Sequence, residues 1–119
     1  KHIPIAEITH THYVLHEANI EVWSTIRNQS ERTLEVDRIM LLGVRHDIDY
    51  PLQPGQQREF RVYSGPRPNH GSYKKAELYY KDGETGDYFR ADHIVEYKYE
   101  TDKTFSVNQL RLITPIYDI

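Results

Sequence analysis

Alternation constrains this chain more than any other feature. From Ile3 to Ile113 it runs in segments of about six to twelve residues in which apolar and polar side chains trade places, each closed by a polar or Gly/Pro turn. Residues two apart on a strand point the same way, so each segment acquires one apolar and one polar face, and the apolar faces must cover one another. An antiparallel all-β domain is expected, with no helical period longer than a turn or two.

Parity assigns the core. In residues 19–27, Ile20, Val22, Ser24 and Ile26 share the inward side, with Glu21, Trp23, Thr25 and Arg27 outward. In residues 33–42, Leu34 and Val36 have one parity and Ile39 and Leu41 the other, so a β-bulge near Asp37-Arg38 is needed to bring all four inside. Residues 57–63 place Phe60 and Val62 inward, and Glu59, Arg61 and Tyr63 outward. In residues 73–81, Ala76, Leu78 and Tyr80 point in, and Lys75, Glu77 and Tyr79 point out. Phe89, Ala91, His93, Val95, Tyr97 and Tyr99 share one side, which makes His93 a structural, partly buried histidine.

The remaining stretches read as edges and turns. Residues 3–15, interrupted by Pro4, suggest an edge strand or two short ones, since a missing N–H costs least at an edge. Gly43, Pro51, Pro54 and Gly55 predict a loop over residues 43–56, with a short extended piece at 47–50. A Pro-rich loop spans 64–71, and Asp82-Gly83-Glu84-Thr85-Gly86-Asp87 reverses the chain. Residues 88–100 and 104–113 are expected to form a long hairpin about Thr101-Asp102-Lys103.

With 119 residues the chain forms a single domain, 1–119, large enough to fold without staples. Its 15 basic and 18 acidic residues, net −3, lack the basic stripe a nucleic-acid binder needs. No cysteine is present, which excludes thiolate nucleophiles and Cys-based zinc sites. No segment approaches the roughly 20 apolar residues of a membrane helix, so a soluble domain without a membrane span is expected. The first residue, Lys1, suggests a matured export product or a piece of a longer protein, and an exported or cell-surface setting is favoured.

About seven strands in this length fit an immunoglobulin-like antiparallel β-sandwich. The succession of a strand ending Asn28-Gln29-Ser30, a strand with Leu34, Val36 and Ile39, Leu52-Gln53-Pro54-Gly55 before Phe60 and Val62, then Gly71-Ser72-Tyr73 before Ala76-Glu77-Leu78, resembles the immunoglobulin-like modules of prokaryotic surface and exported proteins, of the CARDB (cell-adhesion-related) type. The resemblance covers residues 19–80; the long final hairpin and the His-rich start depart from it. It implies a spacer or adhesion module with no catalytic residues to carry over.

Candidate chemistry is sparse. His10, His12 and His16 share a parity on the first strand, as a zinc site would use, but with Tyr13 and Leu15 inward they fall on the solvent face, the favoured reading. Asp82, Glu84 and Asp87 offer calcium three carboxylates, though Gly and Asp are also ordinary turn formers, and a plain turn is favoured. His46-Asp47-Ile48-Asp49 is read likewise as a loop. Asn28-Gln29-Ser30 fits a glycosylation sequon and a strand-end turn equally well. No nucleophile elbow, paired carboxylates or phosphate cradle emerges, so no enzymatic activity is expected.

The aromatic residues carry more. Trp23 on an outward face exposes a large ring unless something covers it, and Arg61 on a neighbouring strand is a candidate cover. Tyr79, with Tyr88, suggests a second patch on the opposite sheet. The expected function is a non-catalytic protein-interaction or spacer module whose binding patch draws on Trp23, Arg61, Tyr63 and Tyr79. It would meet a protein partner or a neighbouring domain, and a homodimer through a strand edge is open to it. The alternative is a carbohydrate-binding or calcium-binding module.

Overall fold

A computed structural model describes residues 4–98, together with the backbone of residues 105–106 and 111–116. The chain forms β1 (Ala6–Leu15), β2 (Asn19–Asn28), β3 (Leu34–Leu41), β4 (Val44–Leu52), β5 (Gln57–Pro66), β6 (Ser72–Asp82) and β7 (Tyr88–Tyr97), followed by the short pieces β8 (Phe105–Ser106) and β9 (Arg111–Ile116). They make two antiparallel sheets, ordered β5-β2-β1-β8 and β4-β3-β6-β7-β9. The described residues contain no helix.

One core lies between the sheets, and the inward parity supplies it. Ile20, Val22 and Ile26 from β2 face Leu34, Val36, Ile39 and Leu41 from β3 and Ala76, Leu78 and Tyr80 from β6, all buried. The bulge in β3 falls between Val36 and Arg38, where its pairing with both β4 and β6 shifts register. The extra residue is what turns Ile39 and Leu41 back toward the core. Ser24, inward among apolar neighbours, shares its hydroxyl with buried Thr11 across the sheet at 3.2 Å, so neither is left unsatisfied.

Tyrosine does more than line half-buried faces. Tyr13, Tyr80 and Tyr97 are fully buried. Tyr13 reaches from the first sheet to donate to Glu96 O at 2.9 Å and accepts from Lys98 N, while Tyr80 reaches from the second to donate to Pro4 O at 2.8 Å. The rings of Tyr13 and Tyr80 fill the core, and the hydroxyl of each of these two finds a backbone partner at the far side. Burial pushes the Tyr80 phenol up to about 12.

Four expectations need correction. Residues 43–56 are not a loop: β4 is a nine-residue strand joined to β3 through Leu42-Gly43, whose φ values of 54° and 74° are those of a type I′ hairpin turn. His46, Ile48, Tyr50 and Leu52 supply its inner side, and its proline is tolerated because β4 is an edge strand. The first segment is a single strand, β1, as one of the two expected readings had it, but not an edge: it pairs along its whole length with β2, with a bulge at Thr9, and at His12 and Tyr13 with β8 on its other side. Tyr63 is not outward. A bulge at Val62 sets Tyr63 opposite Val22, and its ring turns into the core, 7% exposed. Finally, β9 does pair with β7, but Phe105–Ser106 pairs with β1 of the other sheet, so residues 104–113 are not one hairpin strand. The turn Thr101-Asp102-Lys103 and Tyr99 lie outside the described residues.

Candidate functional site

The outer face of the β5-β2-β1 sheet gathers the most side-chain chemistry. Trp23 lies at its middle, with His12 of β1 and Arg61 of β5 directly opposite on the two neighbouring strands. Strict alternation in β2 puts the Trp23 ring outside, since Val22 and Ser24 are claimed by the core. The indole is half-buried by its neighbours. The His12 ring lies almost parallel to it, with 3° between planes and 6.4 Å between centroids.

Carboxylates frame this pair of rings. Glu21, two residues along β2, accepts the indole N–H at 3.2 Å, and His16 Nε2 lies 2.9 Å from its other oxygen. The bonds to His16 and Trp23, helped by the charges of His16 and Arg61, hold the Glu21 carboxyl below its usual range against the effect of burial. His12 Nδ1 lies 3.1 Å from Glu59 Oε2 across β2. His10 follows on the same face, its ring centroid 6.1 Å from that of His12. The result is an aromatic centre ringed by charges of both signs.

The other sequence-selected residues lie elsewhere. Tyr79 is on the outer face of the second sheet, under the Arg38 guanidinium at 4.0 Å, and donates to Glu77 at 3.2 Å. In the same network Arg90 Nε sits 2.9 Å from the buried carboxylate of Asp92. Trp23 and Arg61 thus share a face, Tyr79 occupies the opposite one, and Tyr63 is between the sheets; the four do not form one patch. Tyr88 faces Lys81 at 5.7 Å beside a cavity of about 250 Å³ bounded by Glu35, Asp37, Asp49 and Tyr50. His93 is buried within the core side of β7.

Asp82 is a structural carboxylate. It accepts Arg32 Nη1 at 2.6 Å and Glu84 N at 2.8 Å. Burial raises its pKa, but the Glu84 N–H, the Arg32 guanidinium and the Thr85 N–H outweigh that and hold it below the usual carboxylate range. Asp82 N to Asp87 O and Gly86 N to Asp82 O close the turn, and Glu84 projects into solvent. His10 and His12 belong to the other sheet, on β1, and do not join these acids. Among the described residues no three His, Asp or Glu side chains converge as a metal ion would need.

Asn28 is a hub that sequence reading missed. It is fully buried; its Nδ2 donates to Arg32 O at 2.7 Å and Leu52 O at 2.9 Å, and its Oδ1 accepts from Ser30 N and Ser30 Oγ. Its amide saturates these partners, so the folded chain offers a glycosylating enzyme no free nitrogen. The inward parity that Asn28 shares with Ile26, directly before a turn, was the available signal.

Few large apolar side chains are exposed: among the described residues Val44, at 49%, and Tyr73, at 58%, stand out. An interface on this domain must therefore be built on mixed aromatic and charged surface. No helix of the described residues is long and apolar enough to cross a membrane. No protein-family model, curated protein or solved structure matches this chain.

Proposed function

We propose that the chain is a non-catalytic interaction or spacer module with an immunoglobulin-like layout, and that it meets a protein partner through the outer face of β5-β2-β1. The layout is supported by strand order: the first, second and fifth strands share one sheet, and the third, sixth and seventh the other, as A-B-E and C-F-G do in immunoglobulin domains. Here β4 takes the place of a C′ strand beside β3.

The observation that carries the binding face is the cross-strand row His12, Trp23, Arg61 with Glu21 and Glu59 at its borders. Trp and Arg dominate the energetics of protein interfaces because a large ring or a planar guanidinium gains much on desolvation without many rotamers to freeze. The surrounding polar groups fit a rim that fixes orientation. The parallel rings of His12 and Trp23 also favour a second reading, a platform for the face of a sugar ring, with Glu21, Glu59 and Arg61 to bond its hydroxyls.

Trp23 is the single tryptophan, so its emission reports on this face alone. Titration with proteins encoded beside this one should shift that emission saturably, and Arg61→Glu should weaken the binding by about thirtyfold, the scale of an interface hot spot. Binding that survives both Arg61→Glu and, followed by calorimetry because this variant has no tryptophan, Trp23→Ala in folded protein refutes the assignment. A shift with neutral oligosaccharides and none with proteins would establish the sugar-binding alternative.

A further inference from the structure

Trp23 sits between two imidazole–carboxylate pairs. Toward Glu21, His16 Nε2 lies 2.9 Å from one carboxylate oxygen while the other accepts the indole N–H. Toward Thr25, His12 Nδ1 lies 3.1 Å from Oε2 of Glu59, the residue opposite Thr25 on β5. An ionised carboxylate only accepts, so each of these ring nitrogens meets it with a proton rather than a lone pair. That fixes the tautomers: in the neutral rings His12 Nε2 and His16 Nδ1 are acceptors, and neither makes a hydrogen bond to a described residue. The two side chains are 21% and 53% exposed, so both rings reach solvent.

Protonation reverses the second nitrogen of each ring. It gains an N–H and the ring gains a positive charge, while the first nitrogen keeps its carboxylate in a stronger, charge-assisted contact. The titratable and charged groups around the two rings are His10 on β1, Glu21 on β2, Glu59 and Arg61 on β5, and Glu17 beside His16 in the β1–β2 connection; β8 sets a serine, Ser106, opposite His12. Carboxylates ordinarily titrate below neutrality and guanidiniums far above it, so imidazole is the group that changes charge at about pH 6.5. Around Trp23, Glu21 and Glu59 outnumber Arg61 while the rings are neutral, and with both rings charged the sign of the surface reverses.

On the reading that this face binds a protein partner, we infer that His12 and His16 form an acid-operated switch on it, and that the partner recruited in mild acid presents a carboxylate-rich segment. The two new N–H donors then join the Arg61 guanidinium around the indole, a set that suits carboxylate oxygens, while the ring takes the aliphatic part of the segment. Above the switching range the same two atoms are acceptors. They meet an incoming carboxylate lone pair against lone pair, and the segment is released.

The probe is an octa-aspartate peptide, titrated into the intact chain at about pH 5.5 and about pH 7.5, where aspartate is ionised in both cases. Calorimetry measures the affinity wherever the peptide lands, and the emission of Trp23, the single tryptophan, reports whether it lands on this face. Binding at the lower pH should be about tenfold tighter, the scale of two charge-assisted contacts at a partly exposed site. His12→Gln and His16→Gln should each cut that ratio to about threefold, and the double variant should bring it to about one, which sets aside the histidines elsewhere in the chain. Equal affinity at the two pH values, an undiminished ratio in the folded double variant, or no saturable binding at the lower pH overturns the switch while leaving the face untouched. Heat of binding without a change in Trp23 emission, and indifferent to Arg61→Glu, overturns the face itself and the switch with it.

Discussion

Asn28→Asp replaces one nitrogen by oxygen at constant shape and isolates what the buried amide does. In the native chain Nδ2 serves two carbonyls, Arg32 O at 2.7 Å and Leu52 O at 2.9 Å. The carboxylate removes both donors and turns an acceptor toward each carbonyl. A buried polar group deprived of its partner costs about 1–3 kcal/mol, so two such losses, partly relieved by the second lone pair of each carbonyl, should total about 3 kcal/mol. A domain of this size has roughly 6–18 kcal/mol in all, and each lost kcal/mol lowers Tm by about 4 °C, so a fall of roughly 12 °C is expected at pH 7. The new carboxyl regains one donor when protonated, so folding raises its pKa above the unfolded value. Its neutral form is therefore compatible with the fold below that unfolded value, and stability is lost as pH rises through the folded pKa. The gap between variant and parent should accordingly be narrower at pH 4 than at pH 7. Urea unfolding followed by far-UV circular dichroism measures both. A variant within about 0.5 kcal/mol of its parent at pH 7, or a gap that widens at pH 4, refutes the reasoning.

Acid should act through Asp82 in the opposite sense. Its folded pKa is lowered, so its contribution is complete above the unfolded carboxylate value and is lost as pH falls through the folded one; Asp82→Asn should flatten the stability profile below about pH 4, and an unchanged profile would count against the Arg32 pairing. Gly83 is excluded from substitution by proximity rather than by φ: a Cβ there would stand 2.8 Å from Thr33 O. Gly83→Ala should therefore destabilise by about 1–3 kcal/mol in thermal unfolding, and an equal Tm would show that the Thr33 backbone yields freely.

The strands that were legible in the sequence are those that the core constrains on one face and neighbours constrain on both sides. In β2, β3 and β6 one face meets the opposing sheet, so Ile20, Val22, Leu34, Ile39 and Leu78 have nowhere else to go, and even the β3 bulge is forced by a change of apolar parity. At β5 no such forcing exists. Val62 and Tyr63 are both apolar enough for the inside, so the bulge that buries the two together leaves no mark in the alternation. β4 was obscured by Pro51 and Gly43, although Ile48, Tyr50 and Leu52 alternate, because an edge strand tolerates what a central one does not. At the candidate site, the outward Trp23 and its neighbour Arg61 followed from parity. Glu21, on the same strand as Trp23, and Glu59, on that of Arg61, were outward by the same parity; that His12 and Glu59 close around the ring depends on which strands lie side by side, a relation that alternation alone does not contain.

The irregularities of β4 bear on how copies of this domain behave when crowded. Its outer edge carries Pro51, which has no N–H to offer, and Asp49, whose φ of 48° breaks the extended line of the backbone. Arg45 and Asp47, 2.7 Å apart at its exposed start, add charge to that rim. A foreign strand trying to continue the β4-β3-β6-β7-β9 sheet would meet a missing donor, a kink and two charges along one short edge, which caps the sheet against runaway edge-to-edge growth. A concentrated solution of the folded domain should therefore resist fibril seeding through β4.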